Sequence, residues 1–363
     1  MSSAGFDVVH VAETIRGGIA TYLREIVPLQ VTRFGADRVA VIVPHDEIGD
    51  LGRAGGAVLV GVPRAGSRVR MAMRVRGRLR RLLAANDTRI LHVHSSFAGM
   101  SCRAPFFSGR VGAVVYCPHG WAFIRNGRSS RLAVSIERLL ARRTDAIVCV
   151  SAAESDVAAR CGLPASKLNV IRNALPDRRG NGPAGLGSAA ADSPLRLLFL
   201  GRFDRAKGFD VLIDAARRLR RRIVLDVFGE SVLGEYKEAG LPEGVCLHGW
   251  QPFPVMEPYL MACDAVVIPS RWEGLPMTAI EAMRAGKPVI GSHVPAIAEV
   301  IEDGRGGVLV SPDDASALAL AIDTVSREDL AVMGHHARQR FLDEFRIEAR
   351  ESELADLYER VVA

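Results

Sequence analysis

Two carboxylates, Glu273 and Glu281, stand in the segment Ser270-Arg271-Trp272-Glu273-Gly274-Leu275-Pro276-Met277-Thr278-Ala279-Ile280-Glu281. An apolar run, residues 265–269, leads into the first of them. Pro276 has the fixed φ that suits a first helical position, and Gly286 followed by Pro288 supplies a helix stop. Glu273 is therefore expected in the loop at a strand's carboxyl end, and Glu281 about a turn and a half into the next helix. Open α/β sheets bind ligands at such strand ends. The backbone N–H groups at the helix start can receive phosphate oxygens, and Gly274, Leu275 and Pro276 beside it are candidate donor-binding residues. Glu281, further in, can take a ribose diol, as acidic residues do in dinucleotide folds. Glu273 is left for another hydroxyl-rich group. The pattern reads as a site for a nucleotide joined to a sugar. Taken alone, two glutamates at this spacing are ordinary solvated helix charges; their place between strand, proline and glycine stop separates the two readings.

Further groups could join this chemistry. Gly201-Arg202-Phe203-Asp204-Arg205-Ala206-Lys207-Gly208 follows an apolar run and opens a helix. Arg202 and Lys207, beside glycines, can neutralise a diphosphate, or they are plain surface charge at a helix start. Gly17 and Gly18 link the first expected strand to the first helix. A double glycine lets backbone approach a ligand closely, or it makes a tight turn. It lacks the G-x-G-x-x-G spacing of a dinucleotide fingerprint. Cys117-Pro118-His119-Gly120 ends another expected strand, so His119 is either a hydrogen-bond donor to a ligand or a satisfied structural histidine. His92 and His94 share one strand face; with no third ligand apparent, they read as core or site-lining residues rather than metal ligands. No D-x-D pair occurs. That pair commonly holds a divalent ion on a nucleotide-sugar diphosphate, so no metal is expected.

The E-x7-E pattern after Pro269-Ser270, continued by Glu281-Ala282-Met283-Arg284-Ala285-Gly286-Lys287-Pro288-Val289-Ile290-Gly291-Ser292, resembles the retaining glycosyltransferases of family 4. The similarity runs over nearly the whole chain and includes Gly17-Gly18, Gly201-Arg202-Phe203 and Lys207-Gly208. It implies the GT-B fold: two Rossmann-like parallel-sheet domains facing a deep cleft, with the C-terminal helix crossing back to the N-terminal domain. By this resemblance Arg202 and Lys207 hold the donor diphosphate. Gly17 and Gly18 lie against the donor phosphates or border the acceptor, His119 hydrogen-bonds the transferred sugar, and Asn173 lies near the interdomain cleft. Ala174 stands where the family more often has glycine. Glu273, His119, Arg202 and Lys207 are then the catalytic set. Cations and N–H dipoles would bind the charge growing on the leaving phosphate better in the transition state than in the ground state. The family also implies retention of configuration, with the leaving phosphate helping to deprotonate the acceptor hydroxyl.

These groups must be carried by elements, and the chain alternates strand and helix patterns throughout. Candidate strands fall at 7–12, 39–43, 57–60, 90–94, 113–117, 146–151, 169–171, 195–200, 223–228, 265–269 and 289–292. Helical patterns fall at 19–30, 69–85, 131–142, 152–160, 209–219 and in a tail over 315–362. At 363 residues and 48% hydrophobic content, two domains are expected: 1–178 for the acceptor, a Gly/Ala/Ser/Pro-rich linker at 179–194, 195–345 for the nucleotide sugar, and the last helix at 346–363. Six scattered cysteines fit free thiols. There is no signal pattern, and no apolar run approaches the ~20 residues needed to span a bilayer. A cytoplasmic protein with peripheral contact at the inner membrane face is expected.

The net charge of +6 divides unevenly. Residues 1–180 hold 27 Lys+Arg against 13 Asp+Glu, a net +14, and the remainder a net −8. Eight arginines crowd residues 64–83. On a helical wheel Ala72, Val75, Leu79, Leu82 and Leu83 share one face, while Arg70, Arg74, Arg78 and Arg81 cluster opposite. This is either a solvated cationic face or a surface for anionic lipid headgroups and a lipid-diphosphate acceptor. Little aromatic interleaving accompanies the charge, so nucleic acid is not an expected partner. The sequence thus predicts transfer of a hexose or N-acetylhexosamine, from a UDP sugar in preference to a GDP sugar, to a lipid-linked saccharide in bacterial polysaccharide or glycolipid synthesis. No cofactor is expected. The alternatives are a nucleotide-sugar epimerase of the same architecture and a catalytically silent nucleotide-sugar-binding protein.

Overall fold

The computed structural model describes residues 5–103, 111–124, 128–178, 193–231 and 240–363. Most of the expected linker, 179–192, lies outside these residues. The chain divides into two compact units, Met1–Pro176 with Ile347–Ala363, and Asp177–Arg346.

The first unit carries a parallel seven-stranded sheet. Its strands are β1 (Phe6–Val11), β2 (Val39–Pro44), β3 (Val58–Val62), β4 (Thr88–His94), β5 (Val111–Cys117), β6 (Ala146–Cys149) and β7 (Leu168–Val170), in the order β3-β2-β1-β4-β5-β6-β7. β2 is buried at every position, as a strand covered by helices on both faces must be. One core gathers Val9, Val11, Ile42, Val75, Leu79, Leu91 and Tyr116. The final helix, Ile347–Val362, belongs to this unit. It buries Leu354, Leu357 and Tyr358, each such side chain contributing about 1.5–3 kcal/mol. Arg33 clamps its Glu351 bidentately, at 2.7 and 2.8 Å.

The second unit carries a parallel six-stranded sheet: β8 (Leu195–Leu200), β9 (Ile223–Phe228), β10 (Val245–Leu247), β11 (Ala265–Ile268), β12 (Val289–Ser292) and β13 (Gly307–Val310), in the order β10-β9-β8-β11-β12-β13. Its core includes Leu197, Phe199, Phe209, Leu212, Val227, Val267 and Ile290. The sequence patterns miss β10, β13 and the helix Phe253–Ala262. The two strands are short and only partly buried, and the helix carries Pro258 in its interior.

Candidate active site

In the second unit the strand order reverses between β8 and β11. The loops leaving these two strands flank a topological switch point, where open α/β sheets take ligands. One loop carries Arg202 and Lys207, the other Glu273. Lys207 Nζ donates to both oxygens of Glu273, at 2.7 and 2.9 Å, and Ser270 Oγ donates to Glu273 Oε1 at 2.7 Å. Arg202 Nε lies 2.9 Å from Asp204 Oδ2. The other oxygen of Asp204 accepts from Lys207 N at 3.0 Å, which fixes the turn that aims Lys207.

Two further features fasten the loops together. Gly208 has φ +64°, and a Cβ there would lie 2.0 Å from the Pro269 carbonyl oxygen, so only glycine fits. Arg271 donates from its backbone to Ala206 O at 2.8 Å and from its guanidinium to Arg205 O at 2.9 Å. The same guanidinium forks between Asp210, at 2.8 Å to each oxygen, and Asp313. Burial works to raise the Asp210 carboxyl, but its bonds to Arg271 overcome this and hold it below the ordinary value. The bonds to Asp210 in turn raise Arg271. Sequence reasoning missed this clamp, because its partners lie 61 and 42 residues from Arg271.

Glu281 is buried, inside the helix Met277–Arg284. The expectation for Pro276 shifts by one place. Pro276 is the cap before the helix rather than its first residue, with φ −70° and ψ 112°. Its ring fixes only φ, and the extended ψ carried in from the loop makes it the half-in residue. No side chain caps this start and no acid stands in its first turn. Gly286, at φ +68°, ends the helix. Lys287 N donates to Ala282 O and Gly286 N to Met283 O, the two bonds of a Schellman motif. Gly274, Leu275 and Pro276 are all buried against this helix start.

In the first unit the order reverses between β1 and β4. Gly17, at φ +98°, caps the helix Gly18–Phe34 without any side-chain cap, and no neighbour crowds it. The loop before it hangs on Glu47, which accepts from Ile15 N at 2.6 Å and from Thr14 Oγ1 at 3.0 Å. Glu13, buried, accepts from Ser95 Oγ, from Ala98 N at 3.0 Å and from Arg68 at 3.0 Å. His119 follows β5 with φ +51°. Its loop is held by Glu154, which accepts from Gly120 N at 2.6 Å and Val150 N at 2.7 Å. Of these acceptors only Glu154 had a sequence signal, the capping-box spacing from Ser151. Asn173 is buried in this unit, just after β7.

From the sequence no third ligand beside His92 and His94 is apparent; the structure brings His10 to them. It lies opposite His92 in the β1–β4 pairing, so a neighbouring strand brings in what spacing could not. His10, His92 and His94 are fully buried, and their ring nitrogens lie within 4.8 Å of one another. Burial lowers His10 to about 4 and His119 to about 3, and holds His92 and His94 well below the ordinary histidine value.

The arginine-rich segment forms the helix Arg68–Ala85. Met71, Ala72, Val75, Leu79 and Leu83 are buried, while Arg70, Arg74, Arg78 and Arg81 are exposed. Residues 61–63 with Arg74, Gly77, Arg78 and Arg81 line a groove of about 450 Å³. All six cysteines are free thiols. Among the described residues no helix is long and apolar enough to cross a membrane.

Known proteins match both units. Residues 16–179 match the family described as Glycosyltransferase Family 4, and residues 194–328 that described as Glycosyl transferases group 1. An uncharacterised 41.2 kDa protein in the cps region of Klebsiella pneumoniae is 28% identical over 329 residues, 88% of this chain and 89% of that one. The amylovoran biosynthesis glycosyltransferase AmsK of Erwinia amylovora is 30% identical over 216 residues, 55% of this chain and 52% of its own length. Among solved structures, HepE of Anabaena in complex with UDP-glucose superposes with a TM-score of 0.81 at 18% identity, covering 98% of this chain and 99% of that one. The fold is therefore GT-B, built from two Rossmann-like parallel-sheet units.

Proposed function

Starting from a chain that is a glycosyltransferase, with a Family 4 domain over residues 16–179 and a group 1 domain over residues 194–328, we propose that it is a retaining enzyme. It moves a hexose or N-acetylhexosamine from a UDP sugar to a lipid-linked saccharide at the cytoplasmic membrane face, in bacterial polysaccharide synthesis. The observation that carries this reading is the placement of Arg202, Lys207 and Glu273 on two interlocked loops at the switch point of the second sheet. In this reading Arg202 and Lys207 take the diphosphate, together with N–H groups in the first turn of the helix Met277–Arg284, and Gly274, Leu275 and Pro276 line the donor. Glu281 takes the ribose diol and Glu273 a hydroxyl of the sugar. The two cations are in place before charge grows on the leaving phosphate, so they stabilise the transition state without reorganising.

Lys207 Nζ donates to both oxygens of Glu273. An arriving diphosphate shares the ammonium with that carboxylate, and donor binding therefore also readies Glu273. In the same reading His119, Gly17, Gly18 and Asn173, which belong to the first unit, are assigned to binding the donor. No divalent ion is needed on the diphosphate, because the side-chain cations supply its counter-charge. Exposed Arg70, Arg74, Arg78 and Arg81 form the face for anionic lipid and for the acceptor's phosphate. The polysaccharide assignment is supported by the cps-region and amylovoran relatives, and the choice of UDP by the ligand bound in HepE.

The test is a panel of nucleotide sugars incubated with the protein and EDTA, each followed for nucleotide release and for epimer formation. Slow hydrolysis of one UDP sugar is expected. An epimer without nucleotide release would make the protein an epimerase. Hydrolysis that appears only with added magnesium or manganese would overturn the metal-free assignment.

A further inference from the structure

A chain of hydrogen bonds crosses the first unit from the helix Gly18–Phe34 to His119. Gln30 Oε1 lies 2.6 Å from His10 Nε2, His10 Nδ1 lies 2.9 Å from His94 Nε2, and His94 Nδ1 lies 2.9 Å from His119 Nε2. Nε2 faces back towards Gln30 at all three histidines, and Nδ1 faces onward at His10 and His94. A neutral imidazole has one N–H and one lone pair, so fixing one proton fixes them all. Burial keeps these rings neutral at pH 7.

The direction is set at Gln30. Its Nε2 faces the Tyr358 hydroxyl at 3.4 Å, and that hydroxyl lies 2.6 Å from His92 Nδ1. The amide stands with Oε1, which can only accept, towards His10. His10 must then donate through Nε2 and accept at Nδ1, His94 must do the same, and His119 must donate through Nε2. Among the described residues His119 Nδ1 has no hydrogen-bond partner, and the residue is partly exposed.

We infer that Gln30, His10 and His94 are positioning residues that hold His119 in its Nε2–H tautomer, so that its Nδ1 accepts a hydrogen bond from a substrate hydroxyl. This reverses the donor role expected from sequence, and it rests on the reading that His119 faces the transferred sugar. The consequence is selectivity. A lone pair at this place favours a sugar with a hydroxyl there and disfavours one with fluorine or an ether oxygen, neither of which can donate.

The competing use of the same rings is a metal held by His10, His92 and His94, or one held by His94, Cys117 and His119. Two nitrogens bound at ~2.0–2.1 Å to one tetrahedral zinc lie roughly 3.3 Å apart. The 2.9 Å between His10 Nδ1 and His94 Nε2, and the 2.9 Å between His94 Nδ1 and His119 Nε2, fit hydrogen bonds better.

The experiment is ring-nitrogen NMR of the full chain labelled at histidine, at pH 7, with metal content measured on the same sample. The expected result is His119 protonated at Nε2 and unprotonated at Nδ1. In Gln30→Met, which removes the acceptor at similar volume, His119 should lose that single-tautomer signal. A proton on His119 Nδ1 in the wild type would overturn the inference, as would an unchanged His119 signal in a folded Gln30→Met or one equivalent of bound zinc. If Gln30→Met does not fold, the wild-type spectrum decides alone. His119→Phe separates the two readings: unchanged donor KM and kcat, with the tautomer as stated, would remove His119 from the sugar and leave the relay standing.

Discussion

In the second unit the cations stand at the mouth of the sheet, with Lys207 on Glu273 and Arg202 on Asp204. In the first unit Arg70, Arg74, Arg78 and Arg81 stand on the outside of a helix, and uncharged imidazoles occupy the interior beside the switch point. The two sheets reverse strand order in the same way, so topology does not decide the difference. Burial does. Lys207 and Arg202 keep 25% and 32% of their side chains exposed beside their carboxylates. His10, His92 and His94 are fully buried and give up their charge. One mouth is prepared for an anion, and the other offers directed hydrogen bonds without net charge.

The largest expected effect lies in the charged mouth. Arg202→Ala and Lys207→Ala should each lower kcat by about 10²–10³-fold, or about 2.7–4 kcal/mol, the scale of losing one preplaced transition-state donor. Circular dichroism should show both variants folded. Near-normal turnover in both would remove the distinction between the two mouths.

Next comes acid stability, which belongs to the neutral interior. His10 titrates at about 4 in the folded chain against 6.5 unfolded. Between these values the unfolded chain binds more protons, so stability falls as pH drops through that window. His10 alone accounts for on the order of 3 kcal/mol by pH 4. Urea midpoints should therefore fall from pH 7 to pH 4, and His10→Phe should flatten the slope. A slope unchanged in that variant would mean the interior histidines do not set it.

The smallest effect per residue concerns the outer cations. Replacing Arg70, Arg74, Arg78 and Arg81 with glutamine should weaken binding to anionic vesicles by about 1 kcal/mol for each arginine near the surface. Wild-type binding should fade with added salt, and UDP binding should not change. Wild type that stays free of such vesicles at low salt would reduce the helix to a solvated face and make a soluble acceptor the better reading.

The sequence carried the strands that are mostly apolar, such as Val39–Pro44, and Leu195–Leu200 with Arg196 its one polar residue, because a buried parallel strand needs no partner to be recognised. It also carried the two loops with Arg202, Lys207 and Glu273, since strand, loop and glycine are local. It did not reveal that Lys207 and Glu273 touch, because that contact depends on β8 lying next to β11. The histidine chain was hidden for the same reason. His10 and His92 become neighbours only once β1 pairs with β4, and Gln30 joins from a helix. The acceptors Glu13 and Glu47 bind backbone amides far along the chain or across loops, and a glutamate in a loop carries no mark of what it will accept.

The return of the helix Ile347–Val362 to the first unit has a consequence for synthesis on the ribosome. At ~5–20 residues per second, the residues from Asp177 to Arg346 take roughly 10–30 s to emerge. Through that interval the nascent first unit lacks Tyr358 against His92 and Gln30, and lacks Glu351 against Arg33. The second unit, continuous in the chain, can finish first. The domain made earliest is thus the one completed last, and it is the one a folding chaperone would have longest to hold.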